Sequence, residues 1–348
     1  MVAPGLSRAN TYAQVTAGDG WVTAQSATTD ATGRAATNWY LGPKPGTEQT
    51  LRAAAGGLSV TFSATAEPLV AGTTYYGASQ FVEFTPGDLP LVVSAPHGGL
   101  LEPASIPTRS ASGAVTVRDT NTEELARQIA ESFTAQTGAA PHTIIMRLRR
   151  TKLDANREIT EAAEGNEQAA RAWREYHGFI VAAREQVAAE YSRGFYIDLH
   201  GHGHEIQRLE LGYLLSANDL AANDDALNSS AFILRSSIRN LAGAGGASHA
   251  ALLRGADALG TLFEANGFPS VPSASQPYPN PGEAYFTGGY NTRRHSSREG
   301  GPIDGVQVEA NFTGVRDTAT NRETFANALV HVMREYLAVH YDIVIGSG

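Results

Sequence analysis

Residues 194–203 read GFYIDLHGHG. A continuous apolar run that ends in histidine and then alternates with glycine reads as a buried strand stopping in a loop. LPLVVSAPHGG at 89–99 has the same form, and DGVQVEANF at 304–312 reads as a further strand. Helical patterns lie between them. In DTNTEELARQIAESFTAQTG (119–138), Thr120 and Glu123 fit a capping box, Leu125, Ile129 and Phe133 form one stripe, and Gly138 stops the helix. HTIIMRLRR (142–150) reads as a strand, 166–193 as a long helix, and LELGYLLS (209–216) as a strand. LLRGADALGTLFEANG (252–267) reads as one helix stopped by Gly267, and NRETFANALVHVMREYLAVH (321–340) as a terminal helix. Strands alternating with helices predict an α/β fold over residues 80–345, with a mixed central sheet flanked by helices.

Residues 1–68 have another texture, rich in Ala, Thr, Gly and Ser. WVTAQSATT, RAATNWYLG, TEQTLRAAA and LSVTFSATA alternate at period two and are separated by Gly and Asp turn signals, which predicts a small all-β sandwich. The stretch from TTDATG to FSATAEP resembles the later strands of bacterial Ig-like repeats of surface and secreted proteins. Residues 69–79, after Pro68, read as a linker.

The chain has 348 residues, 42% of them apolar, with 35 acidic against 26 basic residues and a net charge of -9. It has no Lys/Arg-rich run, so nucleic acid is not an expected partner. No apolar run approaches the roughly 18 residues of a membrane span. Cysteine is absent, which excludes disulfides and thiolate ligands. The first residues carry no basic and apolar leader pattern. With the Ig-like segment, the expectation is a secreted or cell-envelope protein whose leader is not in this sequence, and which associates with the cell surface through that segment.

In open α/β sheets, ligands sit beyond the carboxyl ends of the strands. Three such ends here carry His97 with Glu102, His200, and Glu309, and RLRRTKLDANRE (147–158) adds cations. Two histidines and a carboxylate suit a catalytic zinc, and a further carboxylate can take a proton from water. Taken singly, each residue has a plainer reading. His202 and His204 belong around the ligands rather than among them, and Asp119 reads as a helix cap. Arg147, Arg149 and Arg150 read as a strand with a solvated face.

From about 80 to 340 the chain resembles the N-formylglutamate amidohydrolase family, related to zinc carboxypeptidases and to the succinylglutamate desuccinylase and aspartoacylase group. The match lies in PHGG with Glu102, KLDANRE, IDLHGHGH, ELGYLL, GGYNTRRHSS and VQVEANF. The resemblance implies one zinc held by His97, Glu102 and His200, with spacings of 102 - 97 = 5 and 200 - 97 = 103 positions. It implies that Glu309 is the general base and that Asn156 and Arg157 hold a substrate carboxylate. Arg149, Arg150 and Arg293 are the candidates for the oxyanion-stabilising cation, with Arg150 taken as catalytic and Arg293 and Tyr290 as substrate-binding. Asp198, His202 and His204 orient the ligands or touch substrate.

The expected activity is zinc-dependent hydrolysis of an amide in a carboxylate-bearing substrate such as an N-formyl or N-acyl amino acid. Two rivals keep the same metal set: a carboxypeptidase and a γ-glutamyl peptide hydrolase. The Pro-, Gly- and Tyr-rich segment 272–297 would decide between them as a lid. A rival of another class is a non-catalytic surface-binding protein.

Overall fold

The computed structural model describes residues 10–18, 20–42 and 46–346. The chain divides into two compact units, Met1–Val70 and Ala71–Gly348.

The first unit holds strands β1 (Asn10–Ala17), β2 (Trp21–Val22), β3 (Ser26–Thr28), β4 (Trp39–Tyr40), β5 (Glu48–Ala55) and β6 (Leu58–Thr65). An antiparallel sheet runs β3-β1-β5-β6, and β2 pairs separately with β4. Gly56 and Gly57, both at positive φ, form the two-residue turn between β5 and β6, as a tight hairpin requires. The sequence pattern misses β1, which is the central partner of both β3 and β5. The likeness to Ig-like repeats rests on sequence alone. Among the described residues here, the buried apolar ones are few: Ala13 and Leu51. Leu58, Val60 and Phe62 on β6 are exposed.

The second unit contains β7 (Tyr75–Tyr76), β8 (Val82–Thr85), β9 (Leu91–Ala95), β10 (His142–Met146), β11 (Gly194–Gly201), β12 (Leu209–Gly212), β13 (Ser270–Val271) and β14 (Ile303–Ala310). They form one mixed sheet in the order β13-β12-β14-β11-β9-β10-β8-β7. The four central strands β14, β11, β9 and β10 are parallel; β8 and β12 join them antiparallel. β7 falls within the expected linker and is instead the sheet's edge strand. Ala78 N–H, just beyond it, donates to Glu175 at 3.0 Å.

Period two sorts the side chains of the central strands. Val93 and Ala95, Ile197 and Leu199, and Val306 and Val308 join the large apolar core, together with helices Thr122–Thr137 and Ala319–Tyr341. The alternate positions, Ser94, Tyr196, Asp198, His200, Gln307 and Glu309, face the other way. A one-residue slip would drive His200 and Glu309 into hydrocarbon, so the register is strongly fixed.

Two helix expectations change. The first long helix has Asn121 at its N-cap, at φ 65° and with no side-chain cap bond; the Thr120–Glu123 box does not form. Glu123 instead accepts from Arg127 at 2.8 Å. The predicted helix 252–267 is two, His249–Arg254 and Leu259–Ala265, because Gly255 is extended.

Candidate functional site

A cleft of about 550 Å³ opens at the carboxyl ends of the parallel strands, and His97, Asp119, Arg150, Asn156, Arg157, His200, His204, Phe286 and Glu309 are among the residues lining it. His97 lies two residues past β9, and His200 and Glu309 are register partners near the ends of β11 and β14.

His97, Asp119 and His200 converge, with one ligand-type atom from each lying within 4.8 Å of the others. The outward side of each ring is tied to a buried carboxylate. His97 Nε2 lies 2.7 Å from Asp154 Oδ1, and His200 Nε2 lies 3.2 Å from Asp198 Oδ1. The tautomer that donates through Nε2 leaves Nδ1 as a lone-pair atom. His200 Nδ1 lies 3.1 Å from Asp119 Oδ2, and His97 Nδ1 lies 3.4 Å from the same oxygen. The latter contact is not a hydrogen bond: His97 Nδ1 is buried and unpartnered. Two ring nitrogens and a carboxylate oxygen thus face one another, and of the two nitrogens only His200 Nδ1 is hydrogen-bonded to that oxygen. Burying such a set is costly without a cation, and carboxylates behind ligating histidines are the usual orienting arrangement.

The charges agree. Burial raises the Asp154 carboxyl, but His97 and Arg150 outweigh it and hold it well below the usual range. Burial opposes charge on His200, yet Asp198 and Asp119 pull its proton affinity well above normal. Asp119 is likewise held low, by His97 and His200 against burial. Burial pushes Glu309 up to about 8; His200 opposes, while Asp119, Glu210 and Asp198 add to the rise. Gln307 Nε2 donates to Glu309 at 2.8 Å.

Glu102 is not part of this cluster, which corrects the expected ligand set. The chain past Gly99 runs alongside Leu148, with Leu101 N–H bonded to Arg147 O and Arg149 N–H bonded to Leu101 O. That directs Glu102 outward, 41% exposed, to Arg149 at 3.0 Å and Thr151 at 2.8 Å. Asp119 stands in its place. It does hold the helix start, through its carbonyl and Thr122, but its carboxylate turns to the histidines and takes Gly201 N–H at 3.1 Å. A lone Asp ahead of a helix gives the same local signal in either role, so nothing in the sequence separates the two.

Among the cations, Arg150 is at the cluster, donating to Asp154 at 3.0 Å with Asp119 3.8 Å away. Arg149 is engaged with Glu102. Arg157 lines the cleft, with Nε on Glu161 at 3.0 Å and Nη1 on Asn156 O at 2.8 Å. Asn156 is anchored through Oδ1 to Asn291 N–H and lies 3.4 Å from His200 Nε2. Tyr290 and Arg293 do not line the cleft: Tyr290 OH accepts from Arg294 at 3.0 Å, and Arg293 is exposed on the helix Tyr290–His295. From the expected lid, Tyr285 to Gly289 reach the cleft instead. A side chain at Gly289 would collide with the Asn156 amide, which holds that segment against the site.

Asp198 is buried and accepts from Thr292 at 2.9 Å besides facing His200. His202 is spent on its own loop. Its Nε2 bonds Arg208 O at 2.8 Å and its Nδ1 accepts His204 N–H at 3.1 Å. Arg316 pins that loop, donating to the carbonyls of Ala310 at 2.9 Å, His202 at 2.8 Å, and Thr120.

No protein-family model matches the sequence, and no curated protein matches it. A solved structure to which the chain is similar is the N-formylglutamate amidohydrolase from Ralstonia eutropha JMP134, at 13% identity and a TM-score of 0.46, covering 75% of this chain and 99% of that one.

Proposed function

We propose that the α/β unit is a metal-dependent hydrolase, with zinc as its ion, that cleaves an amide bond in a substrate bearing a carboxylate. One observation carries this reading: His97 Nδ1, Asp119 Oδ2 and His200 Nδ1 converge while Asp154 and Asp198 tie the far nitrogens. A nitrogen–nitrogen–oxygen set of this kind fits zinc. Bound there, the ion would polarise the scissile carbonyl and acidify water.

The chain's own groups supply the rest. Glu309, buried at the cleft floor, takes the proton of the attacking water. Arg150 sets a positive charge beside the reacting carbonyl. Arg157 and Asn156 hold the substrate carboxylate at the cleft wall. An N-acyl amino acid fits this description. A peptide-sized substrate is the second reading, favoured by the cleft volume and by the exposed apolar rim of Val115, Val117 and Phe286.

The test is metal analysis of the purified protein joined to a screen of N-acyl amino acids and glutamyl peptides with and without chelator. About one zinc per chain and chelator-sensitive amine release are expected. Metal-free protein whose amine release ignores both chelator and added zinc would overturn the reading.

A further inference from the structure

The loop after β11 holds a second built pair that the scheme above leaves unused. His204 Nδ1 lies 2.8 Å from Glu210 Oε1, and Glu210 is fully buried on β12. The other oxygen of Glu210 accepts Phe286 N–H at 2.8 Å. The Phe286 ring stacks on the His204 ring, with centroids 4.7 Å apart and planes 13° apart. His204 is thus held on one edge and one face. Its side chain is 24% exposed and lines the same cleft as Glu309.

Glu210 and Glu309 are directly opposed partners of the antiparallel pair β12–β14, so their side chains share a face. The His204–Glu210 pair therefore stands beside the proposed base. His202, His204 and Glu210 also have ligand-type atoms close together. A second ion there would need a His202 nitrogen, and both are committed to backbone groups.

We propose that His204 is the proton donor to the leaving nitrogen, with Glu210 as its positioning residue; this rests on the amide-hydrolase reading. Glu210 accepts from Nδ1–H, so Nε2 is the ring nitrogen left for a substrate in the cleft that His204 lines, and the Glu210 charge balances the ring when both nitrogens are protonated. Water adds to the carbonyl carbon as Glu309 takes its proton. The carbon–nitrogen bond then breaks with its electron pair going to nitrogen, which receives the Nε2 proton. The proton held by Glu309 and the one shed by the new carboxylic acid restore His204 and charge the released amine.

The test compares N-acetyl-L-glutamate with its thioester isostere, 2-(acetylthio)glutarate, whose thiolate departs without a proton. His204→Gln should cut amide turnover by about 10²–10⁴-fold, the range for a lost general acid, while thioester turnover falls far less. Glu210→Gln should show the same contrast at smaller size. Equal losses on both substrates, or no loss, would overturn the assignment. If zinc-loaded wild type turns over neither substrate, the amide-hydrolase reading fails for this substrate class, and the pair is judged by diethyl pyrocarbonate labelling read by mass spectrometry. His204 should then be the fastest-labelled histidine of the cleft and should slow in Glu210→Gln. Faster labelling of His97, His200 or His202 would refute the presented Nε2.

Discussion

Each unit has a cavity, and the two are of similar size but opposite chemistry. The one in the first unit, about 380 Å³, is lined by Ala, Thr, Ser, Gly and a few larger residues such as Tyr12, with no Asp, Glu, His, Lys or Arg among its described lining. The one in the second, about 550 Å³, is lined by four histidines, two carboxylates and two arginines. Strands build both. The difference lies in what stands behind the lining. In the second unit a large core backs one sheet face, and the carboxyl ends of the strands hold buried charges against one another on the other. Among the described residues of the first unit only Ala13 and Leu51 are buried apolar residues, too little to support a desolvated charge cluster. Volume locates a cavity; desolvated, mutually oriented groups make it a site.

The largest effect expected concerns the ligand set. Asp119→Ala should abolish zinc retention and turnover together, while Glu102→Ala should leave both near wild type, as read by elemental analysis and amine release. The reverse result would restore Glu102 and overturn the proposed ligand set.

Next comes the base. Glu309→Gln should retain zinc and lose about 10²–10⁴-fold in turnover. Full activity in that variant would leave the second cavity a metal-binding site without this catalytic role.

The contrast in cores can be tested by denaturant titration. Leu199→Ala, in the large core, should cost about 2–5 kcal/mol. Phe62→Ala, on exposed β6, should stay within about 0.5 kcal/mol. A comparable cost for Phe62 would mean that β6 is covered in solution, and the comparison would weaken.

Acid provides the smallest test. Residues 1–70 contain no histidine, whereas His142 on β10 is buried and its pKa is lowered from 6.5 to about 4 by burial. As pH falls, the unfolded chain takes that proton first. The stabilisation is therefore complete above 6.5 and lost on the way down to about 4, amounting to about 3 kcal/mol for the group. Denaturation curves at pH 7, 5 and 4 should show the loss in the second unit, and His142→Asn should flatten it. An unchanged slope in that variant would assign the acid sensitivity elsewhere.

The sequence by itself determined the strand-into-glycine pattern at 89–99 and 194–203 and the strand at 304–312, and with them the α/β class and the placing of His97, His200 and Glu309 at strand ends. Those residues were legible because period and termination are local properties, set by backbone sterics and by side-chain alternation. Local signals also found Gly138 as a helix stop, and they failed at Gly255, where one glycine divides the expected helix. Tertiary structure alone decided the partners. Asp119, not Glu102, converges with His97 and His200 because the chain after Gly99 runs beside Leu148 and turns Glu102 to Arg149. Asp154 meets the His97 ring, at 2.7 Å, only once separate segments come together, whereas Asp198 and His200 sit two positions apart on one face of β11. A carboxylate in sequence carries no mark of whether it will cap a helix, face solvent or hold a ring. That is settled by which other charges the fold buries beside it, because only there does an unmatched charge become too costly to leave alone.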